Sequence, residues 1–388
     1  MVFGGVFRHG AGMRVVTLLG YPAILLAFAA HQLAHGAAWE PVVTFTLAAF
    51  GVIPLAQLMG QATEHLASRV GPTWGGLLNA TFGNAAELII AIIALTKGLN
   101  EVVKASLTGS ILGNLLLVAG GAMLAGGWGR VQQRFNPRAA EANAGLLTIA
   151  VAAMLTPAIF HFTAERLHDR QIVEHEWAVS LGTGIVLLAV YALGLLFTLR
   201  THRHLFSVAG HGAERDHAAG WSVRRSAGML LLASAGIGMV AELLVGAAAS
   251  VAASFGWSPV FVGVVLLAVI GNAAEHSTAV TLAWNDDMDT AMTITYQSSL
   301  QIALFVTPAL VFVSAALVAF GVDSAAHLDL VFTPLEVVAV MLSVLTVVVL
   351  GMNGRTNWFE GALLLGLYLI LAIAFFFVPV PPVAACEL

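Results

Sequence analysis

Nothing limits the possible folds of this chain more than its series of apolar segments, each about 20 residues long and nearly free of charge. A helix of that length crosses the roughly 30 Å hydrocarbon core of a bilayer. The 388 residues are 59% hydrophobic and 10% charged, whereas soluble domains carry about 25% charged residues. The runs also lack the alternation of a transmembrane β-barrel. The sequence therefore predicts an all-α polytopic membrane protein.

Breaks at charged, Pro, Gly and Asn residues divide the chain into eleven predicted transmembrane helices. Lys and Arg predict the orientation, because they concentrate on the cytoplasmic side. With the N-terminus inside, twelve of the sixteen basic residues fall in inner segments and four fall outside: Lys97, Lys104, Arg166 and Arg170. We therefore expect a cytoplasmic N-terminus. The approximate spans are 14–34, 41–60, 75–96, 102–126, 143–162, 178–199, 226–253, 259–284, 290–318, 334–352 and 358–378.

A five-residue motif, Gly-Asn-Ala-Ala-Glu, occurs at 83–87 and again 188 residues later at 271–275. Each copy lies in the second span of a five-span unit, and an odd number of spans inverts the second unit relative to the first. The sequence thus predicts one N-terminal helix plus two inverted five-helix repeats. The predicted divisions are an N-terminal segment with the first transmembrane helix at 1–40, repeats at 41–199 and 226–378, a cytoplasmic linker at 200–225 and a C-terminal tail at 379–388.

The net charge, the cysteine content and the composition of the linker limit the classes of binding partner that we expect. The formal net charge of −5 offers no basic field for nucleic acid. Cys386 is the one cysteine, so no intramolecular disulfide forms. The linker is rich in His and Arg, but its histidine spacing matches no defined metal site, and we interpret it as a solvated loop. We expect the bilayer and small ions as partners, and no protein partner is evident from the sequence.

Glu87 and Glu275 are the strongest functional candidates, because a carboxylate in mid-membrane is costly unless it is paired, protonated or bound to a cation. In each motif Asn and Glu are three positions apart. On a continuous helix this spacing places Asn84 with Glu87, and Asn272 with Glu275, on one face. If the repeats bring both faces together, the carboxylate and amide oxygens suit a hard divalent cation such as Ca²⁺.

The paired motifs also predict proton exchange. Two adjacent carboxylates do not both stay ionised without a cation, so the site is expected to hold either a cation or protons. Backbone carbonyls freed at Gly83 and Gly271 would add further oxygens. The alternative is that the motifs only join helices through Asn hydrogen bonds. Packing alone, however, does not require the same acid in both halves.

The span after each motif carries a polar stripe. Ser106, Ser110 and Asn114 are spaced by four residues, and Ser298 and Gln301 by three, so each set lies on one helix face. We expect these stripes to line the ion pathway. The alternative is that their small residues allow close helix packing, as a Gly-x-x-x-Gly spacing does.

Three further ionisable residues lie near the predicted site. Glu242 and Glu64 are expected in the cytoplasmic halves of the opening helices of the repeats, as proton-path or gating residues, although Glu64 is alternatively interfacial. His276, next to the second motif, either relays protons or bonds to a neighbouring helix. The acidic residues at 286–289 form either a solvated loop or a funnel for cations.

These segments resemble the two α-repeat motifs of the calcium/proton exchangers, within the calcium/cation antiporter superfamily. The resemblance covers 76–90, 106–118, 271–276 and 298–306. It implies that Ca²⁺ and H⁺ share Glu87 and Glu275, and that spans two and seven slide as a gate in alternating access. It also implies export of cytosolic Ca²⁺ by an inward proton gradient, with Ca²⁺ as cargo and no resident cofactor. The residues implied around the site are Asn84, Asn272, Ser110, Asn114, Ser298 and Gln301.

One departure concerns ion preference, because Gln297 stands where the family pattern usually has Gly. An exchanger of the same architecture that prefers Mn²⁺ or couples to Na⁺ is therefore an alternative, and a passive cation channel is another. An enzyme is not expected, since the chain has no His-Glu-x-x-His or Gly-x-Ser-x-Gly motif. Short loops and a compact chain favour a prokaryotic plasma membrane.

Overall fold

The computed structural model describes residues 11–34, 36–167, 175–202, 221–322 and 324–379. Most of the predicted linker and tail therefore lie outside the described residues. The described chain is almost entirely helical and has one pair of two-residue strands. The helices are α1 Ala11–Leu33, α2 Glu40–Val70, α3 Pro72–Phe82, α4 Ala85–Thr96, α5 Asn100–Gly127, α6 Pro137–Leu167, α7 Glu176–Thr201, α8 Val223–Phe255, α9 Pro259–Gly271, α10 Ala273–Trp284, α11 Met288–Ala319, α12 Pro334–Gly351 and α13 Trp358–Phe376. The strands are β1 Gln133–Arg134 and β2 Arg355–Thr356.

Eight of these helices are long and apolar enough to cross a membrane. Two bent pairs, α3 with α4 and α9 with α10, raise the number to ten if each pair forms one span. The apolar stretch of α1 that meets the same criteria for composition, Leu18–Leu33, is shorter. Every predicted span thus corresponds in position to a helix or a bent pair, while the count of eleven stays a prediction.

Helix ends follow local capping chemistry. Thr333 and Glu336 form a capping box at the start of α12, and Asn357 and Glu360 form another at the start of α13. Gly256, with φ of 68°, ends α8 in the left-handed region that glycine adopts without steric cost. The largest error in a predicted boundary is in the second span, because α2 continues ten residues beyond its apolar run as a polar helix.

The two spans that carry the repeated motif are not continuous helices, contrary to the sequence prediction. The chain bends by 43° between α3 and α4 and by 61° between α9 and α10. Asn84 (φ −105°, ψ 27°) and Asn272 (φ −92°, ψ 4°) lie at these breaks, each just before the following helix. Gly and Asn weaken the helix there, and each new helix begins with Ala-Ala-Glu, whose acid is favoured at a positive helix end.

Two sets of contacts define opposite ends of the bundle. β1 and β2 pair antiparallel and join the α5–α6 connection to the α12–α13 connection, at what we call the strand end. At the other end, which we call the lysine end, Lys104 Nζ lies 3.0 Å from Asp329 Oδ1 and 2.9 Å from the Val331 carbonyl oxygen. Between these ends α2 and α8 pack along each other, and the second half of α8 also contacts α4.

Candidate ion-binding site

The breaks bring the two predicted carboxylates to one place. Glu87 lies in the first turn of α4 and Glu275 in the first turn of α10. Glu87 reaches the break of the other bent pair, since a Cβ added at Gly271 would lie 3.5 Å from Glu87 Cγ and 3.7 Å from its Oε1. The two carboxylates are close enough for their charges to interact. Residues far apart in sequence thus form one half-buried acidic pair.

Both motif asparagines donate hydrogen bonds to the other half of the chain. Asn84 Nδ2 donates to Gln301 Oε1 at 2.5 Å, and Asn272 Nδ2 donates to Ser110 Oγ at 3.0 Å. Asn272 Nδ2 also donates to the carbonyl oxygen of Ala268 at 2.9 Å. The continuous-helix geometry does not hold at the breaks, but these bonds use the amide nitrogens, so the role of the asparagine oxygens as cation ligands stays a prediction. The asparagines connect the halves.

Three buried oxygens at this place accept no hydrogen bond from any described residue: Asn84 Oδ1, Asn272 Oδ1 and Glu87 Oε2. Buried polar atoms in proteins nearly always have a partner, and all three of these atoms are acceptors. A cation satisfies acceptors, and hard divalent cations take several oxygen ligands, carboxylate and amide oxygens included. The described residues contain no cluster of three or more His, Cys, Asp or Glu for a metal, so amide or hydroxyl oxygens must supplement the two carboxylates.

The two polar stripes do not contribute equally. Ser298 Oγ donates to Glu275 Oε2 at 2.5 Å, and Ser110 and Gln301 contact the asparagines. Asn114 is buried in a π-helical stretch of α5, Gly113–Val118, where its Nδ2 has no partner in the described chain. The place of Ser106 in the ion pathway stays a prediction. Its backbone lies in the contact between α5 and α9, beside Gly263.

His276 is half-buried next to Glu275, and its ring faces α5. A Cβ added at Gly113 would lie 3.8 Å from His276 Nε2. This nitrogen has no hydrogen-bond partner among the described residues, so the alternative that it bonds to a neighbouring helix is wrong for Nε2. Its role as a proton relay stays a prediction.

The prediction for Glu242 needs correction. Its Oε1 lies 2.5 Å from Lys97 Nζ at the lysine end, and its side chain is 57% exposed. It does not lie in the half of the helix that the sequence predicted, because α8 begins at the strand end and Glu242 lies more than halfway along its 33 residues. Glu64 is exposed near the strand end of α2, which fits the interfacial alternative.

The acidic segment 286–289 has structural contacts. Asp286 pairs with Arg130 at 3.4 Å. Asp287 Oδ1 accepts from the backbone N–H of Thr290, and Asp289 Oδ1 accepts from that of Asn136. The prediction of a solvated loop is therefore wrong for Asp287 and Asp289, whose carboxylates accept backbone hydrogen bonds at the strand end.

A polar cavity next to the motif residues was missed by the sequence analysis. It measures about 150 Å³ and lies between α3, α6, α7 and α11. Gln301, which bonds Asn84, forms part of its wall, together with Asn79, Asn143 and Gln297. The available signal was the presence of four amide side chains inside otherwise apolar spans.

Comparison with known proteins identifies the family of this chain. The family described as "Sodium/calcium exchanger protein" matches residues 40–200 and 225–377. The Ca(2+)/H(+) antiporter of Synechocystis sp. is 43% identical over 91% of this chain and 95% of its own length. The Ca(2+)/H(+) antiporter ChaA of Bacillus subtilis is 41% identical, over 87% of this chain and 93% of its own length. The solved structure of native YfkE is 37% identical, with a TM-score of 0.77 and coverage of 94% of this chain and 100% of that one. The chain therefore belongs to the sodium/calcium exchanger protein family, as a member of its calcium/proton exchanger branch.

Proposed function

We propose that this protein is a Ca²⁺/H⁺ antiporter that exports cytosolic Ca²⁺ in exchange for protons. The observation that carries the proposal is the half-buried acidic pair, Glu87 and Glu275, with three buried acceptor oxygens beside it that lack partners among the described residues. The names of the relatives from Synechocystis and Bacillus subtilis support Ca²⁺ and H⁺ as the two transported ions.

The proposed architecture is one N-terminal helix followed by two inverted five-helix repeats, α2–α7 and α8–α13, with each bent pair taken as one span. Three features support it. The bends occur at the two identical motifs, the motif asparagines contact the opposite half, and β1 and β2 join connections that an inverted layout places on the same side. The domain boundaries given by the sequence stay part of this proposal.

The proposed mechanism is alternating access with competition between Ca²⁺ and protons. Two ionised carboxylates without a counter-ion are costly in a medium of low dielectric constant. The site therefore changes the side to which it is open only when Ca²⁺ or protons are bound. Coupling follows from that rule, because return of the empty, charged site is unfavourable. Sliding of α2 and α8, as the family resemblance implies, would change which end of the bundle reaches the site.

We also propose a bacterial plasma membrane as the location, with a cytoplasmic N-terminus. The distribution of Lys and Arg supports this orientation. It makes the strand end cytoplasmic and the lysine end external. The bilayer is then the only surrounding partner that the proposal needs, and Ca²⁺ and H⁺ are its substrates.

The test is uptake of radioactive Ca²⁺ into proteoliposomes with an imposed proton gradient, repeated with Na⁺ gradients and with Mn²⁺ as competitor. We expect Ca²⁺ to accumulate only when protons run in the opposite direction. Uptake that follows Na⁺ and ignores pH would remove the proton role of the glutamates. Flux that ignores both gradients, at rates far above those of transporters, would identify a channel. If unlabelled Mn²⁺ inhibits the uptake more strongly than unlabelled Ca²⁺ does, Mn²⁺ is the preferred ion.

A further inference from the structure

Gly109 on α5 and Gln297 on α11 occupy matching positions in the two halves. They are 188 residues apart, as the two motifs are, and each directly precedes a serine that contacts the site. Gly76 on α3 and Val264 on α9 are separated by the same 188 residues. The pair Gly109–Val264 in one interface therefore corresponds to Gln297–Gly76 in the other.

The interface between α5 and α9 is closed by backbone contact. A Cβ added at Gly109 would overlap the carbonyl oxygen, Cα and carbonyl carbon of Val264. Gly263 is equally tight, since a Cβ there would lie 2.9 Å from the Val102 carbonyl oxygen and 2.5 Å from Ala105 Cβ. No side chain fits at Gly109 without moving one of these helices. This contact lies on the lysine-end side of the site.

The matching interface between α3 and α11 is open. Gln297 and Gly76 both line the cavity of about 150 Å³, on the strand-end side of Gln301. Gly76 packs against Leu199 at the end of α7 instead of against α11, and α3 rests mainly on α2. The lysine-end side of the site is thus closed by helix contact at Gly109, while the strand-end side is open at Gln297.

We propose that Gln297 is a steric wedge that keeps the strand-end side of the site open and that must leave the α3–α11 interface before this side closes. The inference rests on the proposed alternating access, in which the two halves exchange conformations. In the exchanged state α3 would lie on α11 as α9 now lies on α5. That contact has no room for a side chain at the position of Gln297.

The position of Gln297 favours a steric role over a role as ion ligand. It lies one helical turn from Gln301 on the same face, towards the strand end, and that spacing is about 6 Å along the axis. Ser298, which contacts Glu275, points from a neighbouring face of α11. Gln297 is therefore a positioning residue that sets the balance between the two open states.

The test measures access to the cavity by thiol labelling. Cys386 is replaced with Ser, and Thr198→Cys, which lines the cavity in the last turns of α7, serves as reporter in nanodiscs without Ca²⁺ at fixed pH. We expect Gln297→Gly to lower the labelling rate by about fivefold or more, because the rate follows the fraction of protein in which this side is open and the change lets the closed state predominate. Gln297→Leu keeps the volume and loses the amide, so it should label like the Gln297 protein.

A second variant tests whether the low helix propensity of glycine, and not the loss of the side chain, causes the effect of Gln297→Gly. Gln297→Ala retains helix propensity, and its Cβ still obstructs the tight contact, so its rate should fall between those of the Gly and Gln proteins. Equal labelling of Gln297→Gly and the Gln297 protein would overturn the wedge. So would slow labelling of Gln297→Leu, or a Ca²⁺ KM raised by that change, because either result would assign the effect to the amide.

Failure of the wedge is distinguishable from failure of the proposed function. Labelling needs neither Ca²⁺ nor a gradient, whereas antiport is measured as proton-driven Ca²⁺ uptake by the Gln297 protein. Intact uptake with unchanged labelling of Gln297→Gly rejects only the wedge. Absent uptake by a folded Gln297 protein rejects antiport, and with it the alternating access on which the wedge depends.

Discussion

The two Gly-Asn-Ala-Ala-Glu motifs are identical in sequence, yet their glutamates have different surroundings. Glu275 Oε2 accepts a short hydrogen bond from Ser298, whereas Glu87 Oε2 has no partner in the described chain. Ser110, which matches Ser298 at the 188-residue offset, bonds Asn272 of the other half instead. The motif thus sets where each charge lies, and the following helix determines how that charge is held.

The largest expected effect comes from removing either charge. Glu87→Gln and Glu275→Gln keep the side-chain volume but remove the charge and the exchangeable proton, so each should abolish Ca²⁺/H⁺ exchange. Loss of one partner from a buried charged site typically costs about 2–5 kcal/mol. The measurement is proton-driven Ca²⁺ uptake at matched protein content.

The matched control is Glu141→Gln, the same change at an exposed glutamate of α6, which should transport normally. Size-exclusion profiles and thermal unfolding establish that all variants are folded. Normal exchange by the Glu275→Gln protein would contradict the proposed mechanism. Loss in only one of the two site variants would show that the pair is not shared.

A smaller effect is expected at the serine that distinguishes the two glutamates. Ser298→Ala removes the hydrogen bond to Glu275, and hydrogen bonds to charged groups contribute about 1.5–3 kcal/mol. We therefore expect the Ca²⁺ concentration for half-maximal uptake to change by about tenfold or more. Ser299→Ala is the control, since that hydroxyl donates to the Thr295 carbonyl oxygen within its own helix. Equal behaviour of the two variants would remove the proposed asymmetry.

The asparagine partners should differ more modestly. Gln301→Ala removes the acceptor for Asn84 Nδ2, the one hydrogen bond that the structure gives this group. Ser110→Ala leaves Asn272 Nδ2 its bond to Ala268. With about 1 kcal/mol for a neutral hydrogen bond, Gln301→Ala should lower Ca²⁺ affinity by about fivefold and Ser110→Ala by less. The reverse order, measured by Ca²⁺ titration of uptake, would contradict this reading of the contacts.

The smallest effect is expected far from the pair. Glu242→Gln breaks an ion pair with Lys97 in which the carboxylate is 57% exposed, and exposed ion pairs contribute little. Uptake should stay within about threefold of the unmodified protein, with Lys97→Gln giving a similar result. A loss as large as that at Glu275 would restore the proton-path role that the position of Glu242 argues against.

The periodicity and the repeat predicted much of this molecule. Eleven apolar runs correspond to the helices and bent pairs within a few residues at most ends, because the length of a membrane-crossing segment is set by the bilayer. The internal repeat of an acid inside apolar runs singled out Glu87 and Glu275, because the bilayer makes such an acid costly. Identical pentapeptides also indicated that the two would act together.

Other features depended on contacts that local sequence does not encode. Helix propensity is low at Gly83–Asn84, but propensity does not state whether the chain bends there. The structure shows bends of 43° and 61° at the asparagines that form hydrogen bonds between the halves. Ser106 shares its spacing with Ser110, but the structure gives a contact with α9 for its backbone alone, so its place in the ion pathway stays a prediction. The position of Glu242 along the bundle axis became clear only from its ion pair with Lys97 at the lysine end.

The sequence by itself determined that the chain is a helical membrane protein and that two glutamates inside its apolar spans occur as a repeated pair. It did so because bilayer thickness and the cost of burying charge act on each residue independently of its neighbours in space. Only the tertiary structure decided which oxygens remain without partners, which glutamate Ser298 holds and which side of the site is open at Gln297. These depend on the distances between helices, which are set by packing over the whole chain.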